Sequence, residues 1–268
     1  MRKRDRQHMA AAESIETIAG CATRIMRGGA GAPLLFLHGA GGAPAWLPFM
    51  EALSEDFDVI VPEHPGFGGS DTPDWLDNVG DLAYFYLDLL DHFGLRGVNL
   101  VGQSLGGWIA AELAVRNDTK LNSLTLSAAA GIYVKGVPRT DIFMLSPEDG
   151  TRVLVHNQVI ADRMLDAPES DARTMTILKN RLTTAKLGWQ PRFYNPDLAK
   201  WLHRVSVPTL ILWGAEDRLV PPAYARAYQA LIPGARLKIF TDCGHLSYVE
   251  KPEEFVGAIQ DFIREVRR

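Results

Sequence analysis

Short, strongly apolar runs alternate along this chain with amphipathic ones, and that rhythm permits few folds. Leu34 to Leu37, Asp58 to Val61, Val98 to Val101, Leu121 to Leu126, Thr209 to Trp213 and Leu237 to Phe240 each read as a strand buried on both faces. Between them, Val79 to Phe93 places Leu82, Phe85, Tyr86, Leu89, Leu90 and Phe93 on one helical stripe. Leu105 to Arg116 and Pro252 to Val266 read the same way, the latter opening on Pro252 with Glu253 and Glu254 behind it, as a helix N-terminus prefers. Strand-then-helix repetition predicts an α/β fold: a mostly parallel, doubly wound sheet covered by helices. Ile15 to Met26 supplies one or two antiparallel edge strands.

The rhythm fails across residues 128–197, where Pro and Gly recur and helix-like pieces occupy Thr151–Leu165 and Asp171–Leu187. A structureless loop of that length is improbable in a compact domain. The expectation is a helical lid at 128–197, inserted into a core domain built from 1–127 and 198–268.

Composition narrows the partners. With 47% hydrophobic residues, 22% charged ones and a net charge of -4, the chain reads as globular and offers nothing to a nucleic acid. Arg2, Lys3, Arg4 and Arg6 read as a solvated tail, followed by no long apolar segment of the secretory kind and no membrane span. Cys21 and Cys243 are far apart and in no ligand spacing, so the expectation is a reduced, cytoplasmic protein without a metal.

The sharpest local signal is Gly102-Gln103-Ser104-Leu105-Gly106, set between a strand and a helix. A G-x-S-x-G at such a junction is a nucleophile elbow: the serine occupies a strained turn, and the flanking glycines remove side chains that would collide with it. A serine needs a base, and in such sheets the acid and then the histidine follow the nucleophile in the chain. Of the seven histidines, His245 alone follows a late core strand, whereas His156 and His203 lie in or beside the lid. Glu216 and Asp217 both follow Thr209 to Trp213, and the turn would aim one of them inward. Oxyanion donors are expected from the N–H of Leu105 and from the glycine-rich loop after Leu37, with Ala40 first and Gly41 second. His38 in that loop reads as structural. Gly39-Ala40-Gly41 with Asp58 further on also suggests a dinucleotide fingerprint, but Pro44 stands where its third glycine belongs, and no cofactor is expected. Trp108, Phe143, Met144, Trp189, Phe193, Tyr194 and Leu246 are candidates for an apolar substrate pocket.

Taken together, His38-Gly39, Pro65-Gly66-Phe67-Gly68-Gly69-Ser70, the Ser104 elbow, Gly214-Ala215-Glu216-Asp217 and Gly244-His245 resemble the α/β-hydrolase fold superfamily, in its order and over nearly the whole core. Pro208 and Pro221 also match, and Glu63 stands where relatives carry the acid before the Pro-Gly turn. The resemblance selects Asp217 as the acid and implies a triad of Ser104, Asp217 and His245. Within the superfamily the chain resembles esterase-like members and the meta-cleavage product hydrolases. Ser104 sets it apart from relatives with an aspartate nucleophile, and Leu246 stands where carbon–carbon hydrolases commonly carry an aromatic residue. The resulting expectation is a serine hydrolase of a small, largely apolar carboxylic ester, acting as a monomer or homodimer without a membrane partner. A carbon–carbon hydrolase and a non-catalytic binding module are the rival readings.

Overall fold

The chain enters its sheet through a hairpin. β1 (Ala12–Ile18) and β2 (Cys21–Gly29) pair antiparallel about a turn at Ala19 and Gly20, both with positive φ. The computed structural model describes residues 11–168 and 170–266, so the basic opening lies outside the described residues. Next come β3 (Ala32–Leu37), α1 (Pro48–Ser54), β4 (Phe57–Pro62), α2 (Val79–His92), β5 (Val98–Gln103), α3 (Leu105–Arg116) and β6 (Leu121–Ser127). A 3₁₀ turn (Ile142–Met144) and the helices α4 (Pro147–Leu154), α5 (Gln158–Leu165) and α6 (Asp171–Gly188) follow. The chain closes with α7 (Leu198–Trp201), β7 (Thr209–Gly214), α8 (Ala223–Leu231), β8 (Arg236–Phe240), α9 (Ser247–Glu250) and α10 (Pro252–Val266).

The strands form one sheet in the order β1-β2-β4-β3-β5-β6-β7-β8, parallel from β4 to β8. It is an alpha/beta hydrolase architecture with a helical insertion between β6 and β7. Apolar cores fill both faces. Leu82, Ile109 and Tyr224 bring α2, α3 and α8 onto one, while Phe49, Ile259 and Phe262 bring α1 and α10 onto the other. β3 and β5 are neighbours, yet the chain leaves them in opposite directions, to β4 and to β6. In open α/β sheets the crevice beyond such a switch point, at the carboxyl ends of the strands, is where ligands bind.

The expected strands appear within a residue or two of their sequence limits. The helical piece expected over Thr151–Leu165 is two helices, because Asn157 accepts a hydrogen bond from the N–H of Val159 and so caps a new start. Asp58, the acid of the incomplete fingerprint, instead forms a two-point salt bridge with Arg27 on the neighbouring strand, at 2.8 and 2.6 Å.

Candidate active site

Ser104 stands at the end of β5 with φ 55° and ψ -112°, a conformation that a side-chain-bearing residue adopts only when its surroundings impose it. Here they do. A β-carbon on Gly102 would come within 2.3 Å of the Gly106 carbonyl oxygen, and one on Gly106 within 2.1 Å of that of Leu37. Neither glycine can be replaced without moving backbone. Leu105 opens α3, so its N–H belongs to the first turn, where helix geometry supplies no carbonyl partner. Gln103 reaches from the elbow to donate to the carbonyl oxygen of His245 at 2.9 Å.

His245 and Asp217 meet as a buried pair. The imidazole Nδ1 lies 2.8 Å from Asp217 Oδ2, and both side chains are almost fully removed from solvent. Asp217 Oδ1 accepts the N–H groups of Leu219 and Val220 at 2.9 and 2.8 Å, so the carboxylate is held from both ends. Its neighbour Glu216 is exposed. The other imidazole nitrogen, His245 Nε2, is buried without a hydrogen-bond partner among the described residues. Ser104, half-buried, is therefore not bonded to it here; such contacts commonly tighten only in the substrate complex.

The loop after β3 is set by two histidines. His38 Nε2 accepts the N–H of His64 at 3.0 Å, which leaves its proton on Nδ1, donated to the carbonyl oxygen of Gly39 at 2.7 Å. His64 Nε2 donates to the His38 carbonyl oxygen at 2.8 Å, so its Nδ1 accepts from the Tyr86 hydroxyl. The rings stack with centroids 3.6 Å apart. Burial holds both neutral, lowering the His38 pKa to about 4 and His64 well below its ordinary range. The Gly39 carbonyl also accepts from Gly42 N–H at 3.1 Å. Across a trans peptide the N–H points opposite to the C=O, so this fixes the Ala40 N–H facing out of the turn. Gly39 lies against the nucleophile: its β-carbon would sit 3.3 Å from that of Ser104.

The insertion grips these loops through residues the sequence gave no reason to single out. Asn180 on α6 donates to the Gly41 carbonyl oxygen at 3.0 Å and accepts from Gly68 N–H at 2.9 Å. Thr183 donates to Gly66 O at 2.6 Å and Lys179 to Gly68 O at 2.9 Å. On the other flank, Glu250 accepts from the N–H groups of His156, Asn157 and Gly244, tying the His245 loop to the start of the insertion. Its place five residues after His245, before a helix, was a signal the sequence did offer.

The expected pocket residues scatter. Trp108 is a core residue, its indole donating to Glu112 at 3.0 Å beneath Gly131. Phe143, Trp189 and Phe193 cluster, with the Arg192 guanidinium 4.0 Å from the Trp189 ring centre. Met144 is 78% exposed, and Tyr194 packs on Tyr133. Leu246 is half-buried beside His245, its N–H donating to Leu154 O. Among the described residues no helix is long and apolar enough to cross a membrane.

A family model described as the alpha/beta hydrolase fold matches residues 32–252. The chain belongs to the alpha/beta hydrolase fold family. It is 30% identical to a poly(3-hydroxyalkanoate) depolymerase of Ectopseudomonas oleovorans, over 88% of this chain and 86% of that one. It is 29% identical to a 2-hydroxy-6-oxononadienedioate/2-hydroxy-6-oxononatrienedioate hydrolase of Pseudomonas putida, over 86% and 87%. Among solved structures, a membrane phospholipase A described as a bacterial virulence factor superposes with a TM-score of 0.74 at 27% identity, covering 96% of this chain and 87% of that one. Hydrolases of small molecules, lipids and polymers are thus among the proteins it is similar to.

Proposed function

We propose that the protein hydrolyses a carboxylic ester of a small, largely apolar substrate through an acyl-enzyme on Ser104. The observation that carries this reading is the His245–Asp217 pair, which anchors the imidazole through Nδ1 and leaves Nε2 without a protein partner. A base so held accepts the Ser104 proton as the hydroxyl oxygen attacks the ester carbonyl carbon, and Asp217 stabilises the imidazolium. The N–H groups of Leu105 and Ala40, with Gly41 as the alternative donor, take the oxyanion; each such bond is worth roughly 3–4 kcal/mol in the transition state. His245 returns its proton to the departing alkoxide, and a water deprotonated the same way releases the acid. Two relatives support the ester class, since polyhydroxyalkanoates and phospholipids are both joined by carboxylic esters.

A second reading, hydrolysis of a carbon–carbon bond by the same residues, draws on the Pseudomonas putida relative. Leu246 in place of an aromatic residue weighs towards the ester. An ester panel of graded acyl length, run on the parent and on Ser104→Ala, tests both. The reading expects turnover of activated esters that falls by roughly a thousandfold or more in the variant. Equal rates in the two proteins would refute it, and a coloured dienol substrate bleached far faster than any ester is cleaved would transfer the reaction to carbon–carbon bonds.

A further inference from the structure

α6 has its polarity reversed. Its inward side is largely polar: Asn180, Thr183 and Thr184 are buried against the core. Its outward line is apolar. Met175, Leu178, Leu182 and Trp189 follow at helical spacings along one side and are 65%, 48%, 72% and 52% exposed. Phe143 packs on Trp189, and Met144, the next residue along the chain, is 78% exposed. A solvent-facing helix ordinarily places these residue types the other way round.

Beyond its first residue, Asp171, the helix carries charge of one sign. From Ala172 to Arg192 the chain has Arg173, Lys179, Arg181, Lys186 and Arg192 and no acidic residue, although the whole chain carries -4. On the helix, Arg181 and Lys186 flank the apolar line on opposite sides, both exposed. Lys186 and Arg192 reach Asp77 and Asp141 only at 3.4 and 3.7 Å, loose pairs of which the first is well exposed and the second part-buried. Apolar side chains bordered by cations are the pattern of a helix that lies in the plane of an anionic lipid surface, sinking its apolar face among the acyl chains while its cations meet the phosphates.

We propose that α6 and the adjoining Met144 form a docking surface for an anionic phospholipid bilayer. The protein sits on the membrane without crossing it, with the apolar line of α6 against the lipid. The same helix carries Asn180 on its opposite side, so docking acts on the element that grips Gly41 and Gly68. The inference stands apart from the reading of Ser104.

Co-sedimentation with vesicles tests it, using phosphatidylglycerol mixed with phosphatidylcholine against phosphatidylcholine alone, for the parent and for Ser104→Ala, which separates adhesion from hydrolysis of the lipid. Both proteins are expected to pellet with the anionic vesicles, to release as salt rises, and to stay with the supernatant on neutral ones. Leu178→Ser with Leu182→Ser, at sites exposed enough to spare the fold, is expected to weaken binding at least about tenfold, and Arg181→Gln about fivefold. A parent that ignores anionic vesicles overturns the proposal, as does a double variant that binds like the parent with an unchanged melting temperature. Sedimentation velocity adds a third overturning result: a parent dimer that the double variant dissolves would make a second copy of the chain the occupant.

Discussion

The side-chain amide of Asn180 donates to the carbonyl oxygen of Gly41 at 3.0 Å, joining a helix of the insertion to the loop that carries the candidate oxyanion donors. Its oxygen takes the N–H of Gly68 from the other side, so one buried residue fixes two loops at once. Asn180→Ala is expected to cost about 1–3 kcal/mol in urea unfolding, because a buried amide loses its hydrogen bonds to two loop backbone groups. Its kcat on an activated ester should fall about tenfold with a smaller change in KM, as for a loss felt mainly in the transition state. Asn180→Asp, which sets an acceptor against the Gly41 carbonyl, should be worse than alanine.

The stacked pair of His38 and His64 makes stability depend on acid. In the unfolded chain each histidine protonates near its ordinary value of about 6.5, whereas folding lowers His38 to about 4 and His64 well below normal. The unfolded state then binds more protons as pH falls through that window, so the contribution is present in full above about pH 6.5 and drains away towards pH 4. At roughly 1.4 kcal/mol per pH unit, His38 alone is worth about 3 kcal/mol across the window. Urea titrations at pH 7, 6, 5 and 4 check this. A flat profile would mean that the pair is not buried neutral.

Tyr86 closes that network by donating to His64 Nδ1. Tyr86→Phe keeps the ring and its packing but strands a buried acceptor, with an expected cost of about 1–3 kcal/mol read from the urea midpoint.

Asp217→Asn should preserve the loop, since the remaining oxygen can still accept from Leu219 and Val220. Its amide would then donate to His245 Nδ1 and drive the imidazole proton onto Nε2, the nitrogen that has to be bare. A fall in kcat of about ten-thousandfold is expected, with thermal stability little changed.

How much of this was legible follows from the range of each interaction. The strands could be read because β3, β4 and β7 are buried on both faces and leave near-continuous apolar runs, and Ser104 because a strained turn tolerates only glycine at Gly102 and Gly106. Asp217 and His245 could be anticipated because each follows a strand, and chain order together with family resemblance selected them. Asn180 and Gln103 were silent because their roles are contacts across 112 and 142 positions, to backbone groups that any residue could supply. The pocket was less legible for the opposite reason. Trp108 and Met144 are both apolar, and only packing decides that one is buried under Gly131 and the other faces solvent.

The proposed acyl transfer rests on Ser104 being a hydroxyl made nucleophilic by His245. Labelling with a fluorophosphonate, followed by intact mass and peptide mapping, tests that most directly. The expected result is one adduct per chain, on Ser104, abolished in Ser104→Ala and strongly slowed in His245→Ala. A folded parent that takes no label, or takes it on another residue, would contradict it.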